Sequence, residues 1–339
     1  MLAAAGTLIL VLVTAPPRVG RATLLIRGTA TLAAMTAIAL APSLDLVLLI
    51  LLVLAVLHAG LDTRRDFALR LRAPVLAIAL LALGLALERM QGPPVLERFG
   101  AVGIVAGLVA AVGLLPYIHE FDPEEPVVAS PIPWIAFVGP LLAATVLARV
   151  THVLPPEAGG AFGAMLIGLG LVNVLWGGIA SWRTQNEAVA WRYSFMADWG
   201  LALCGFGMAI ADGRAAALIL LLSVVIGRLP LYMWSRQALR EKAPAERPIN
   251  LLVAAALAGS APFAGFAARV LILRGATSLY WPLALVLAAG MLLWLPGSLR
   301  LGRSMGMPRG RQAVGVGIVL AVSVILGLYP QPLLSLAGL

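Results

Sequence analysis

The sequence predicts an all-α polytopic membrane protein with about twelve transmembrane helices, and three observations carry that reading. Apolar residues make up 61% of the 339 positions and charged residues 12%, about half the charge of an ordinary soluble domain, and mean hydropathy is +1.00. The apolar residues fall in long stretches, and about twenty residues are needed to cross roughly 30 Å of hydrocarbon, so twelve stretches use up most of the chain. Almost no charge lies within those stretches except Asp198, Arg228 and Arg269. No polar run exceeds about fifteen residues, too few to fold alone. Residues 1–339 therefore read as a single transmembrane domain, and any redox centre or nucleotide site belongs to another polypeptide.

The spans follow in order. Stretch 2–15 lacks the charged flank and small-residue cleavage site of a secretory signal, so it reads as a short first spanning helix, closed by Pro16-Pro17. Stretch 22–41 ends at Pro42-Ser43, and 44–60 runs up to an arginine-rich loop. Stretches 74–88 and 99–117 flank Gly92-Pro93-Pro94. Span 132–150 precedes Pro155-Pro156, and 160–181, 195–211 and 215–234 lead to the polar run 235–248. Spans 249–273, 279–298 and 313–328 complete the set. They divide into a first repeat near 22–150, a second near 160–298 and a final helix.

The basic residues set the orientation. Odd-numbered loops hold about three times as many Arg and Lys as even-numbered ones, which hold Arg89, Arg98, Arg149, Arg214 and Arg274. That bias places odd loops in the cytoplasm of a bacterial inner membrane and both termini on the periplasmic side. The net charge of +9 is accounted for by these short loops, so the expected surroundings are a lipid bilayer and not nucleic acid. The one cysteine, Cys204, lies in an apolar stretch and excludes intrachain disulfides and cysteine-clustered metal sites.

The tenth span is not a plain helix. Gly259-Ser260-Ala261-Pro262 interrupts it ahead of Phe263-Ala264-Gly265-Phe266. Proline removes a backbone donor and disfavours helical geometry just before itself, so a break is expected near Ala261. Such breaks free carbonyls and helix ends that transporters use for ions; they also serve as simple packing kinks. Arg228 and Arg269 read either as fixed charges lining a hydrated path or anion site, or as structural cations paired with Asp198 or with freed carbonyls. Asp198 reads either as a proton site or as a hydrated group near a helix end. His119, Glu120 and Asp122, with Glu124 and Glu125, form the acidic cluster, a candidate proton-collecting mouth or docking surface. No second histidine follows at ligand spacing, so no metal site is expected. No phosphate loop or nucleophile set is visible; the chain is not expected to catalyse anything alone or to carry a cofactor.

Several strings together resemble the antiporter-like membrane subunits of respiratory complex I (NADH-quinone oxidoreductase). That family also includes the large subunits of multi-subunit cation/proton antiporters and of membrane-bound hydrogenases. Gly327-Leu328-Tyr329-Pro330-Gln331-Pro332 resembles its closing motif, and Ala261-Pro262-Phe263-Ala264-Gly265-Phe266-Ala267-Ala268-Arg269 its broken-helix motif. Arg183-Thr184-Gln185 leading to Tyr193-Ser194 resembles a third string, and Pro116-Tyr117-Ile118-His119 with Pro126 and Arg149 a fourth. Relative to full-length members, two N-terminal helices and a C-terminal lateral helix are expected to be missing.

The resemblance implies an antiporter-like bundle and partners that are other membrane subunits of a hetero-oligomeric complex. It also implies a line of buried Glu and Lys that passes protons. Here those positions fall near Leu54, Ala111 and Gly139, and only the last of the line keeps charge, as Arg269. Arg228 stands where relatives often carry Lys. Arginine, with a pKa above about 12, does not load and release protons as a buried lysine does. The expected function is a membrane subunit of an ion-coupled redox or antiport complex with reduced or altered proton conduction. The alternatives are a non-conducting anchoring subunit and a stand-alone small-anion transporter.

Overall fold

A computed structural model describes residues 2–15, 21–60, 67–90, 93–117, 156–238 and 247–336. All regular structure among them is helical. The elements are α1 (Leu2–Thr14), α2 (Arg21–Leu40), α3 (Leu44–Gly60), α4 (Phe67–Arg89), α5 (Pro94–Val112), α6 (Pro156–Arg183) and α7 (Glu187–Gly207). Then come α8 (Ala211–Ser223), a π-helical turn (Val224–Arg228) and α9 (Leu229–Ala238), which form one continuous rod. The rest are α10 (Pro248–Ala258), α11 (Ala264–Leu279), α12 (Trp281–Ser304), α13 (Arg311–Leu328) and the short α14 (Gln331–Leu336). Every expected span but 132–150, which lies outside the described residues, has its helix.

Among the described residues, six helical segments are long and apolar enough to cross a bilayer: Leu71–Arg89, Val95–Val112, Gly160–Arg183, Ala211–Ser235, Trp281–Ser304 and Arg311–Leu328. Helix α7 is not one of them, and its surroundings give the reason. Nearly every residue from Ala188 to Gly207 is buried inside the protein, so its polar side chains face other helices and not lipid. It starts eight residues before the expected 195, with Asn186 capping its first turn through bonds from the Ala188 and Val189 N–H groups. Arg192, expected in a loop, is therefore in α7 and buried.

What holds α7 central is a glycine register with α6. Gly163, Gly170 and Gly177 recur every seven residues on α6, opposite Gly207, Gly200 and Tyr193 on the antiparallel α7. A Cβ placed at Gly163 would stand 2.7 Å from the Gly207 carbonyl oxygen, one at Gly170 2.6 Å from that of Gly200, and one at Gly177 2.7 Å from that of Tyr193. Small residues let backbones touch where lipid offers no hydrophobic drive between helices, and a strict seven-residue repeat keeps the seam aligned. Helices α4 and α5 meet the same way: a Cβ at Gly84 would stand 2.8 Å from the Gly100 carbonyl oxygen.

Two features were not expected from the sequence. Helix α5 ends early, at Val112, with Gly113 in the left-handed region (φ 75°) and a turn leading into Pro116. Asn173 of α6, fully buried, accepts from the Leu115 N–H at 2.9 Å and donates to the Leu169 carbonyl at 2.8 Å, satisfying the turn. Arg27 is a further charge inside a span, buried on α2. One turn on, Thr31 bonds His58 of α3 at 3.0 Å.

Candidate functional site

Asp198, Arg228 and Arg269 come from three separate helices and meet in one buried cluster. Their relative exposures are 2%, 5% and 8%. Asp198 lies midway along α7, four residues after Ser194, so one face of the helix offers a hydroxyl and a carboxylate a turn apart. The hydrated helix-end reading of Asp198 is thus not the observed geometry.

Arg228 ends the π turn. Pro230, two residues on, has no N–H and would crowd the carbonyl four residues back in a regular helix. One widened turn relieves this, with the Leu229 N–H bonding Val224 O. Each of the three Arg228 guanidinium nitrogens then has a polar neighbour. Its Nε is 2.5 Å from Asp198 Oδ2, one terminal nitrogen donates to Ser194 Oγ, and the other to the Leu257 carbonyl. Leu257 belongs to the last turn of α10, whose carbonyls have no partners in their own helix and form its negative end.

Arg269 sits in the second turn of α11, beyond the break. Its Nη1 donates to the Gly265 carbonyl at 3.1 Å, and Nη2 is 3.6 Å from Asp198 Oδ1. The broken-helix residues make room for it. Gly259 caps α10 at φ 63°, and a Cβ at Gly265 would stand 2.7 Å from Arg269 Nη1. One at Gly259 would collide with the guanidinium outright. Gly259→Ala combines left-handed strain with that collision, and we expect it to lower stability by about 1–3 kcal/mol, read as a fall in the unfolding midpoint. Pro262 and Phe263 pack by their backbone on Gly327, so the closing motif rests directly on the break.

The indole of Trp294, buried on α12, lies under both cations, 4.5 Å from the Arg228 guanidinium carbon and 5.3 Å from that of Arg269. A cavity of about 20 Å³ adjoins the cluster, lined by all three charged residues with Ser223, Gly265 and Ser323 among others. That is room for about one water. By contrast, Arg274 and Asp212 form a bidentate pair at 2.5 Å on the outer surface, where such pairs contribute little.

The structure brings Asp198, Arg228, Arg269, Gly259, Pro262 and Gly265 together, whereas His119, Glu120 and Asp122 lie outside the described residues. Sequence reasoning missed Trp294, Ser223 and Ser323. The serines carry a signal, as rare hydroxyls in apolar helices; the tryptophan carries none. Leu54 and Ala111, at the expected proton-path positions, are buried in the apolar core.

No protein-family model matches the chain. In sequence it is similar to NADH-quinone oxidoreductase subunit N of Rhodobacter capsulatus, at 27% identity over 217 residues (58% of this chain, 45% of that protein). It is also similar to subunit M of Mycobacterium tuberculosis, at 21% over 281 residues (75% and 51%). The chain spans about half the length of these curated relatives. In structure it matches a chain of respiratory complex I from Thermus thermophilus (TM-score 0.76, 17% identity, 99% of this chain and 82% of that one). It also matches a chain of the Mrp complex from Dietzia sp. (0.75, 16%, 92% and 76%), and one of the membrane-bound sulfane sulfur reductase (0.75, 17%, 97% and 63%). The resemblance read from the motifs is therefore present in sequence and in fold: this is a multi-pass membrane protein with the architecture of the antiporter-like subunits.

Proposed function

We propose that the chain is a membrane subunit of a larger ion-coupled redox or cation/proton antiport complex in a bacterial inner membrane, with both termini on the periplasmic side. Its own proton conduction is reduced, because the remaining charges are locked together. The observation that carries this reading is the closed ion cluster. Asp198 is the only readily titratable group in it, and Arg228 holds that carboxylate at 2.5 Å while also bonding Ser194 and the Leu257 carbonyl. Neither arginine releases a proton near neutral pH. The adjoining cavity has room for about one water and not for a file of them. Two of the expected proton-path positions are filled by Leu54 and Ala111, both in the apolar core, and the third, Gly139, lies outside the described residues.

The same closure also favours a second reading, a non-conducting subunit that anchors or spaces its neighbours. A stand-alone small-anion transporter would need both guanidiniums free toward a pocket, and Arg228 has every arm engaged. Proton flux decides between the first two. In liposomes containing the parent complex, we expect Asp198→Asn and Arg269→Ala to remove a measurable fraction of coupled flux while assembly persists. Unchanged flux with intact assembly would leave the subunit as scaffold.

A further inference from the structure

Two guanidiniums and one carboxylate leave the cluster with one net positive charge. Among the described residues, Asp198 is the only carboxylate that pairs with either arginine. A lone ionised group inside a membrane bundle is costly, and arginine does not escape by deprotonating. With side chains 10% exposed or less, the three residues are shut off from the carboxylates of a neighbouring subunit.

The under-compensated member can be identified. Arg228 has a polar neighbour at each of its three nitrogens, whereas Arg269 has one carbonyl bond and a carboxylate at 3.6 Å. Arg269 faces the 20 Å³ cavity. Two further features there favour negative charge, against the Asp198 carboxylate on the same wall. Gly265, in the first turn of the sixteen-residue α11, is on the cavity wall, so the positive end of that helix is directed at it. Ser323 Oγ accepts from the Ala264 N–H at 3.4 Å, leaving its hydroxyl hydrogen to donate. Ser223, on the same wall, donates its hydroxyl hydrogen to the Leu220 carbonyl at 2.8 Å and offers the cavity only an acceptor.

We propose that this cavity binds one small monovalent anion, of the chloride class, as the fixed counter-ion of Arg269, held by its guanidinium, the Ser323 hydroxyl and the N-terminal turn of α11. The break in the helix then has two electrostatic roles. The carbonyl end of α10 receives the cation Arg228, and the N–H end of α11 receives the anion. The ion is a fixture and not cargo, and its presence is independent of whether protons move through the chain.

Equilibrium binding of radiolabelled chloride to the detergent-purified chain, with any subunits that co-purify, tests this. Wild type is expected to bind chloride saturably at one site per chain, displaced by bromide or nitrate and not by gluconate, which is too large for the cavity. Arg269→Gln is expected to weaken binding at least about tenfold, and Ser323→Ala a few-fold, the losses expected on removing a charged and a neutral donor. Arg269→Lys, which keeps the charge, and Arg274→Gln, on the outer face of α11, should both still bind. Absence of saturable binding in wild type would overturn the proposal. So would equal binding by Ser323→Ala and Arg269→Gln, and Ser323→Ala remains informative even if the arginine variant fails to fold.

Discussion

Asp198→Ala is expected to destabilise the protein by about 3–5 kcal/mol, the cost of stranding a buried charge by deleting its partner. Here one deletion strands two. Arg228 would lose the carboxylate at 2.5 Å and Arg269 the one at 3.6 Å, and both would still share the face of Trp294. Removing the cation along with the anion should recover much of the loss, since a buried pair is weak evidence of net stability even though breaking it is costly. Denaturation in detergent micelles of Asp198→Ala, Arg228→Met and the double variant measures the coupling. A coupling energy near zero would mean that the contact does not contribute to stability. Asp198→Asn, used for the flux comparison, keeps an oxygen acceptor for the Arg228 fork, so its loss should be smaller.

A contrast between two glycines on one helix is expected to be as large. Gly170→Leu should prevent normal folding, whereas Gly168→Leu, two residues away, should be nearly neutral. A side chain at Gly170 meets the Gly200 carbonyl oxygen at 2.6 Å and the Cys204 nitrogen at 2.9 Å; one at Gly168 meets nothing within 4 Å. Backbone cannot retreat as a flexible side chain can, so the cost should reach or pass the roughly 1–3 kcal/mol usual for overpacking. The damage should extend beyond α6, because α7 would be pushed away with Ser194 and Asp198 on it. Yield of monodisperse protein and its unfolding midpoint report the difference. Equal behaviour of the two leucine variants would remove the glycine register as the determinant of helix packing.

Much of this protein is legible in one dimension because a membrane simplifies the code. Apolar stretches of spanning length mark helices, since no other open structure satisfies its backbone in hydrocarbon. The break at Gly259-Ser260-Ala261-Pro262 is legible for the same reason that it forms: proline cannot donate, and glycine takes the left-handed cap. The break after α5 was missed because Gly113-Leu114-Leu115-Pro116 is as apolar as the helix before it, and its partner, Asn173, is distant in sequence. Arg27 and Arg192 were misjudged because arginines near helix ends serve loops and spans alike, and only packing separates an exposed one from a buried one.

By itself, then, the sequence determined the helical membrane-spanning class, the place of the broken helix and three of the residues that carry charge inside the bundle. These are properties of local composition and of single-residue backbone chemistry. The tertiary structure decided that Asp198, Arg228 and Arg269 form one cluster, that Arg228 is fully engaged while Arg269 is not, and that Trp294 and Ser323 share the site. The physical reason is distance along the chain. Which residues meet across α7, α11, α12 and α13 depends on helix rotation and depth, and a glycine seam between α6 and α7 fixes those for α7 only once the two backbones touch.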